Sequence, residues 1–243
     1  MSSCGIVLNQ TNWIERSTLA QIGLRDPIWC YGWVVSSSAS PTPRRLTRKG
    51  QETRQRIVDA AADLIFDQGV AHTTIEDVRT AADVSSSQLY HYFDDKPALV
   101  HAVIEHQTDA IVSNQETFDL SSLEGLREWR DWVIDYQHAL GCRGGCPIGS
   151  LGSELAETEP QARDRVAAGM KRWEAAIRHG LREMHAHGRL ATEADPDALA
   201  LALLAALQGG LLLTQIERDT KPLEAALDAM LELIATHSDT SQR

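Results

Sequence analysis

"TTIEDVRTAADVSSSQLYHYF", residues 73–93, is the stretch that decides the fold. Ser85 and Gln88 stand three residues apart, which is the spacing of a capping box at the start of a helix. On the helix that follows, Leu89 and Phe93 fall on one face, and hydroxyl and imidazole side chains fall on the other. The pattern predicts a short helix that buries two apolar side chains and exposes a row of hydrogen-bonding groups.

A second short helix precedes this one. Thr73 and Glu76 have capping-box spacing, so we expect the helix to begin there, and the turn "AADV" separates it from the next helix. Its inner stripe would consist of Ile75, Val78 and Ala82. Two short helices joined by a tight turn, the second with a polar outer face, form a helix-turn-helix unit. Such a unit places its second helix in the major groove of DNA.

The distribution of charge bears on this prediction. The chain has a formal net charge of −11, so the molecule as a whole should repel nucleic acid. Residues 44–56 are the exception, because six basic side chains there face a single acidic one, Glu52. The basic residues are Arg44, Arg45, Arg48, Lys49, Arg54 and Arg56. This segment could lie along phosphates, or it could be a solvated helix start with a basic tail.

The remaining sequence predicts an all-α chain. Residues 1–43 hold Gly, Ser, Pro and scattered Trp without a sustained period, which is typical of a disordered extension. A three-helix domain is predicted at 44–97 and a larger helical domain at 98–243, and Gly69 should end the first helix. Outside the helix-turn-helix unit, the predicted helices cover about 49–68, 122–140, 148–156, 158–188, 196–217 and 221–237.

The sequence predicts neither a leader nor a membrane span. Its start lacks a charged region that leads into an apolar one. The longest apolar run, Leu199 to Leu213, is broken by Gln208 and is shorter than the roughly 20 residues that a bilayer requires. Four cysteines are too few for a disulfide framework. We therefore expect a cytoplasmic protein.

Residues 54–104 resemble the DNA-binding domain of the TetR family of bacterial transcriptional repressors. The pieces "AADLIFDQG", "TTIEDV", "LYHYF" and "DKPAL" stand in the family's order and at its spacing. Residues 144–157, 188–190 and 202–231 are similar, more weakly, to the drug-responsive branch of that family. The resemblance implies a dimeric repressor that binds a palindromic operator and is released by a small-molecule effector held in the C-terminal domain. It implies no cofactor and no metal.

The same resemblance carries DNA-contacting roles onto particular positions of this chain. Residues about 74–93 would form the reading segment. The positions that match base or nearby phosphate contacts are Ser86, Ser87, Gln88 and Tyr90. Phosphate contacts would come from Thr74, His91, Tyr92 and Lys96, with Arg48 in a basic N-terminal arm. A glutamine amide suits adenine, and a tyrosine ring can lie against a thymine methyl group or reach a phosphate.

Two positions depart from the family's pattern. The family usually has glycine in the turn where this chain has Asp83. Aspartate tolerates a left-handed conformation better than most residues, so we expect the turn to survive. The family favours alanine where Arg79 stands, at a position that packs helix against helix. Its side chain must either extend to solvent or loosen that packing.

The last two helices are predicted to form the dimer interface, through residues about 196–237. Residues 199–216 are apolar nearly all round, which predicts a buried helix. Gly209 and Gly210 each cost roughly 1 kcal/mol relative to alanine, which a close helix–helix approach would offset. The last helix carries an apolar stripe of Leu223, Leu227, Met230 and Ile234. The alternative is that both helices only complete the core of one chain.

Aromatic residues of the middle helices are candidates for an effector pocket. These candidates are Trp129, Trp132, Tyr136, Met170 and Trp173. The same side chains at helical spacing are equally consistent with an ordinary core. His138, Cys142 and Cys146 are spaced by four, but glycines and Pro147 break any helix there, which predicts a structural turn rather than a zinc site. Thiol-based redox sensing through the two cysteines remains an alternative.

Our interpretation is a ligand-responsive transcriptional regulator, most simply a repressor, and not an enzyme. An all-helical enzyme is the competing class, and its candidate histidines would be His138, His179, His185 and His187. None of them has an evident nucleophile or orienting partner at suggestive spacing. A nucleoid-type binder without sequence preference is a third class, and the acidic total charge argues against it.

Overall fold

The computed structural model describes residues 46–239, and this part of the chain consists of helices joined by short turns. The expected disordered extension at 1–43 and the basic residues Arg44 and Arg45 lie outside the described residues. The helices are α1 Arg48–His72, α2 Ile75–Ala81, α3 Ser86–Tyr92, α4 Lys96–Gln115, α5 Leu123–Ala139, α6 Pro147–Leu155, α7 Pro160–Ala186, α8 Pro196–Glu217 and α9 Lys221–Asp239. The all-α prediction is confirmed, and the predicted helix ranges agree with these bounds to within a few residues.

The helix α1 is interrupted close to its end. Its N-terminus is capped by Thr47, whose hydroxyl accepts a hydrogen bond of 3.2 Å from the N–H of Gly50. Gly69 has φ 80° and ψ 166°, so the regular helix breaks there, as predicted, before the chain continues to His72. Glycine adopts a positive φ without the steric cost that a Cβ atom would bring.

The predicted start of α2 was wrong by one residue. Thr74, not Thr73, caps this helix, and it forms the capping box with Asp77 instead of Glu76. Thr73 is buried, and its hydroxyl donates a hydrogen bond of 2.8 Å to the carbonyl of Gly69. Because the hydroxyl of Thr73 is already bonded at the end of α1, Thr74 caps α2 instead.

Two apolar cores divide the described chain. The first core is built from the four helices α1 through α4, with parts of α6 and α7. The second core is built from the helices α5 through α9. The helix α6 contributes to both, since Ile148 lies in the second core and Leu151 and Leu155 lie in the first. The predicted domain boundary after residue 97 falls at the start of α4 and stays a prediction.

Within the single chain, the helix α8 is buried on one side only, and its burial all round stays a prediction for the dimer. Its outer side exposes Leu201, Leu212, Leu213 and Ile216, with exposed fractions of 44–67%. The apolar stripe of α9 packs instead against the core of its own chain, where Leu223, Leu227 and Ile234 are fully buried. One helix therefore closes the core, and the other presents an apolar surface.

The two central glycines of α8 face different neighbours. A Cβ atom on Gly210 would lie 2.8 Å from the Cα atom of Leu223 in α9, so Gly210 allows close packing within the chain. A Cβ atom on Gly209 would meet nothing within 4 Å. Only Gly209 lies on the exposed side of α8.

By length and composition, α8 would pass as a membrane-spanning helix. Its buried side chains pack in the second core beside α7 and α9. A core helix of a folded protein meets the same two criteria, so packing accounts for the apolar side chains on the buried side of α8.

Candidate nucleic-acid interface

The orientation predicted for α3 is confirmed. Leu89 is 0% exposed and Phe93 is 3% exposed, so both turn into the first core. Ser86, Ser87, Gln88 and His91 are exposed, and Tyr90 is 55% exposed. The helix therefore presents hydroxyl, amide, phenol and imidazole groups to the outside, on a scaffold that holds its apolar side.

The turn between α2 and α3 accommodates both departures from the family's pattern. Asp83 has φ 51°, so aspartate occupies the left-handed position. Arg79 extends outward, where it pairs with Glu76 at 2.5 Å and donates a hydrogen bond of 3.3 Å to the carbonyl of Val84. The arginine thus braces the turn instead of loosening the packing of α2.

The first residues of α3 use their side chains to begin the helix. The hydroxyl of Ser85 accepts a hydrogen bond of 3.2 Å from the N–H of Gln88. In return, the Oε1 atom of Gln88 accepts one of 2.9 Å from the N–H of Ser85. The predicted capping box is present, so the amide predicted to read a base also stabilises the helix terminus.

The positions predicted to contact phosphates surround α3, and several already have partners in the chain. The Thr74 hydroxyl donates to Asp77 at 2.6 Å, and the Lys96 ammonium donates to the carbonyl of Val70 at 2.6 Å. Tyr92 is half-buried, and its ring contacts that of the exposed His91 at a centroid distance of 4.9 Å. These side chains would have to exchange or share their partners to contact DNA.

The basic segment divides into exposed and packed side chains. Arg48 pairs with Glu52 at 2.9 Å, but its side chain is 93% exposed at the start of α1. Lys49 and Arg56 are exposed as well. Arg54 lies over the ring of Phe93 at 5.1 Å, a cation–π contact that joins α1 to the end of α3. We missed this structural role of Arg54 in the sequence, since no local pattern places residue 93 beside it.

The residues predicted to line an effector pocket lie in and around the second core. Trp129 and Trp173 are buried, whereas Trp132, Tyr136 and Met170 are half-buried. The rings of Trp132 and Tyr136 stack at 5.2 Å, and burial raises the pKa of the tyrosine.

A surface hollow of about 470 Å³ between α5 and α9 is lined by other residues, among them Arg130 and Asp228. These two side chains pair at 2.8 Å. None of the predicted aromatic residues lines this hollow, so the effector pocket stays a prediction.

The two cysteines of the glycine-rich turn have structural surroundings. Cys142 has φ 56° and is buried, and Cys146 caps α6 by accepting a hydrogen bond of 3.3 Å from the N–H of Gly149. Burial raises the pKa of the Cys146 thiol to about 11. His138 shares a hydrogen bond of 3.2 Å with Thr220. Because the thiolate is the reactive form, a thiol with this pKa is poorly suited to redox sensing.

Glu154 is the other residue that sequence reasoning missed. It lies on α6, and its carboxylate accepts hydrogen bonds from the N–H groups of Val70 and Ala71 at 2.9 and 2.6 Å. These partners are more than 80 residues away in the sequence, so no spacing signal could have revealed the contact.

Comparison with known proteins agrees with this geometry. A model for bacterial regulatory proteins of the tetR family matches residues 57–103, and a model for the tetracyclin repressor-like C-terminal domain matches residues 122–230. A helix-turn-helix transcriptional regulator of Mycobacterium tuberculosis is 31% identical over 72% of this chain and 90% of its own length. The repressor DhaR of a Mycobacterium species is 25% identical over 74% of this chain and 91% of its own length.

The solved structures include a TetR transcriptional regulator from Chloroflexus aurantiacus. It superimposes with a TM-score of 0.67 at 30% identity, covering 79% of this chain and 98% of that one. The fold and the exposed face of α3 define a helix-turn-helix transcriptional regulator that binds DNA. The chain belongs to the TetR family of bacterial regulatory proteins.

Proposed function

We propose that the protein is a repressor that binds a palindromic operator as a homodimer and is released by a small-molecule effector. The observation that carries this proposal is the orientation of α3, with Leu89 buried and Tyr90 55% exposed. A helix anchored in this way can enter the major groove with its polar face toward base edges. The name of the relative DhaR, a repressor, supports repression over activation.

The DNA contacts that we propose are those predicted from the sequence. Ser86, Ser87, Gln88 and Tyr90 would approach bases or adjacent phosphates, because all four are exposed on α3. The proposed phosphate contacts are Thr74, His91, Tyr92 and Lys96, with Arg48 at the start of α1. These cations and hydroxyls lie on the helix-turn-helix unit or at its margins, where the backbone of a bound duplex would pass.

The dimer would form through the exposed side of α8. Leu201, Ala205, Gly209, Leu212 and Ile216 are exposed and recur at helical spacing, so they form a continuous apolar stripe. Exposed apolar surface of this kind marks a protein interface, and the open Gly209 permits a close approach of two helices. Two copies of α3 about 34 Å apart would then read the two halves of a palindrome.

We propose that the effector is an uncharged, drug-sized molecule, as expected for the drug-responsive branch. Within residues 46–238, the buried hydrogen-bonding side chains other than the cysteines and tryptophans are Thr and Gln, which carry no charge. Gln115, Gln137, Trp173 and Thr214 each bury a polar atom without a hydrogen-bond partner in the described part of the chain. A ligand that carries hydrogen-bonding groups but no charge would suit atoms of this kind.

The competing classes are disfavoured by local contacts. Of the candidate catalytic histidines, His185 contacts the carbonyl of Thr192 at 3.2 Å and His187 contacts that of Glu183 at 2.7 Å. These two contacts close the end of α7, and the hydroxyl of Thr220 beside His138 donates to Glu224 at 2.6 Å and is buried. We propose a regulator without catalytic activity that works in the cytoplasm, where its operator would lie.

Nuclease footprinting of the purified full chain on DNA upstream of its own coding region tests the proposal. We expect a discrete footprint with two-fold symmetry. A broad, sequence-independent protection would indicate a nucleoid-type binder, and no protection on that DNA or on a genomic fragment library would contradict operator binding. Repeating the footprint with a panel of neutral and charged aromatic compounds tests the effector, since only neutral compounds should release the DNA.

A further inference from the structure

The end of α1 is held by a contact from the helix α6. Because Gly69 leaves the helical conformation, the N–H groups that follow it need acceptors outside the helix. Both oxygens of Glu154 supply them, to Val70 at 2.9 Å and to Ala71 at 2.6 Å. The Lys96 ammonium holds the carbonyl of the same Val70 at 2.6 Å.

The carboxylate also lies directly against the backbone of the break. A Cβ atom on Gly69 would be 3.2 Å from the Oε2 atom of Glu154. A side chain at this position would therefore crowd the carboxylate. This corner leads at once into α2, whose first residue is Ile75, so its position determines where the helix-turn-helix unit begins.

The helix that carries Glu154 has its other end on α8. Cys146 caps α6, and Gly149 lies so close to α8 that a Cβ atom there would be 2.9 Å from the Oε1 atom of Gln208. Just before the helix, a Cβ atom on Gly145 would be 2.6 Å from the Oε1 atom of Gln215. A nine-residue helix thus connects the helix that we assign to dimerisation with the start of the reading unit.

We propose that Glu154 is a positioning residue through which α6 sets the aim of α3 on the operator. A displacement of α6 on α8 moves the carboxylate, and the corner at Val70 and Ala71 follows because two charge-assisted hydrogen bonds attach it. Glu154 does not touch DNA in this account. The inference rests on the proposed operator-binding function.

Three variants of the full chain separate positioning from folding. Glu154→Ala removes both acceptors, and Glu154→Gln keeps one acceptor but turns an amide donor toward the second N–H group. Glu157→Gln, an exposed glutamate one turn further on, is the matched control. Each variant is compared with wild type in operator affinity, oligomeric state, amide hydrogen exchange and the distance between spin labels on the two α3 helices of the dimer.

We expect Glu154→Ala to bind the operator at least about tenfold more weakly, because it removes two hydrogen bonds to a charged group. Amide exchange should rise at residues 70 and 71 and not in α5 or α7, and the distribution of label distances should broaden. In operator affinity and amide exchange, Glu154→Gln should lie between wild type and Glu154→Ala, and Glu157→Gln should match wild type. A merely structural role would instead raise exchange throughout the chain.

Unchanged exchange at residues 70 and 71 together with unchanged operator affinity in Glu154→Ala would overturn the inference. So would exchange that rises uniformly, since it would reduce Glu154 to a stabilising contact. A wild-type protein without a discrete operator would contradict the proposed function instead, and local exchange and label distances would still report on the corner.

Discussion

The Oε1 atom of Gln88 accepts a hydrogen bond of 2.9 Å from the backbone N–H of Ser85. The residue predicted to read a base is therefore also the residue that closes the N-terminus of its own helix. A bidentate contact with adenine needs both the oxygen and the nitrogen of the amide. Binding must thus either share the oxygen between Ser85 and the base or release the cap, so helix stability and base reading are coupled at this position.

Replacing Gln88 by glutamate separates these two roles. Gln88→Glu keeps an oxygen for the Ser85 N–H and places a negative charge at a helix N-terminus, where it is favourable. It removes the amide donor, so operator affinity should fall roughly tenfold or more. Thermal unfolding should stay within error of wild type, and Gln161→Glu, an exposed site on α7, should change neither quantity. Operator affinity equal to that of wild type would argue against a reading role.

Tyr90 should contribute to operator binding and not to folding. It is 55% exposed, so Tyr90→Ala should leave the free energy of unfolding and the dimer unchanged. The free energy of operator binding, measured by fluorescence anisotropy, should become less favourable by about 1–3 kcal/mol. Tyr90→Phe distinguishes the phenol hydroxyl from the ring. If Tyr90→Ala binds as wild type does, the exposed face of α3 is not the reading face.

Operator binding should weaken steeply with salt. If about eight phosphates are neutralised per dimer, the logarithm of affinity should fall with the logarithm of salt concentration at a slope of roughly −7. Arg48→Gln should make the slope shallower by about two per dimer, one for each copy of the arm. Arg163→Gln on the exposed surface of α7 serves as the control. An unaltered slope in Arg48→Gln would remove Arg48 from the interface.

A charge on the exposed side of α8 should prevent dimerisation. Ile216 is 67% exposed in the single chain, so Ile216→Glu leaves the carboxylate hydrated in a monomer but buries it in the proposed dimer. We expect a folded monomer by light scattering, with operator binding lost because the two half-sites are no longer joined. Ala168→Glu, at an exposed position of α7, should remain dimeric. A dimeric Ile216→Glu would place the interface elsewhere.

The pH dependence of stability should reveal a half-buried carboxylate between α1 and α4. Burial raises the pKa of Asp59 from 3.8 to about 6, although Gln55 donates a hydrogen bond to the carboxylate at 2.7 Å, which lowers it. The folded chain holds this proton more tightly than the unfolded chain, so the contribution of Asp59 to stability declines as pH rises between these two values.

Asp59→Asn removes that dependence. At pH 7 the variant should be more stable than wild type by about 1 kcal/mol, allowing for partial solvent exposure, and the difference should vanish below the unfolded pKa. Urea unfolding at acidic and neutral pH measures this difference. Asp135→Asn, on the exposed face of α5, should show no such trend. A constant difference across pH would mean that Asp59 is not desolvated.

Local patterns were enough to predict the reading unit. The burial of Leu89 and Phe93 follows from their spacing on one helix, whereas the left-handed conformation of Asp83 was expected only from the family's glycine at that position. The same patterns could not choose between two adjacent threonines, since Thr73 and Thr74 each precede an acidic residue by three positions. The burial of Thr73 at the end of α1 decided the choice, and burial is a tertiary property.

Other features depend on neighbours that the sequence does not identify. The apolar composition of α8 cannot distinguish a side that packs within its own chain from a side left for a second copy. The contact between Glu154 and the N–H groups of Val70 and Ala71 joins segments far apart in the chain. Hydrogen bonds of this kind leave no periodic signal, because each depends on the whole fold to bring its partners together.

Gly209 and Gly210 are chemically identical neighbours, yet substitution should affect two different equilibria. A methyl group on Gly210 would press on the backbone of Leu223 and so burden every molecule, however dilute the solution. A methyl group on Gly209 would enter open space in the single chain, and only in the proposed dimer would it meet a second molecule. In the proposed dimer, one peptide unit of α8 thus separates a residue that packs within its own chain from a residue that faces the second copy.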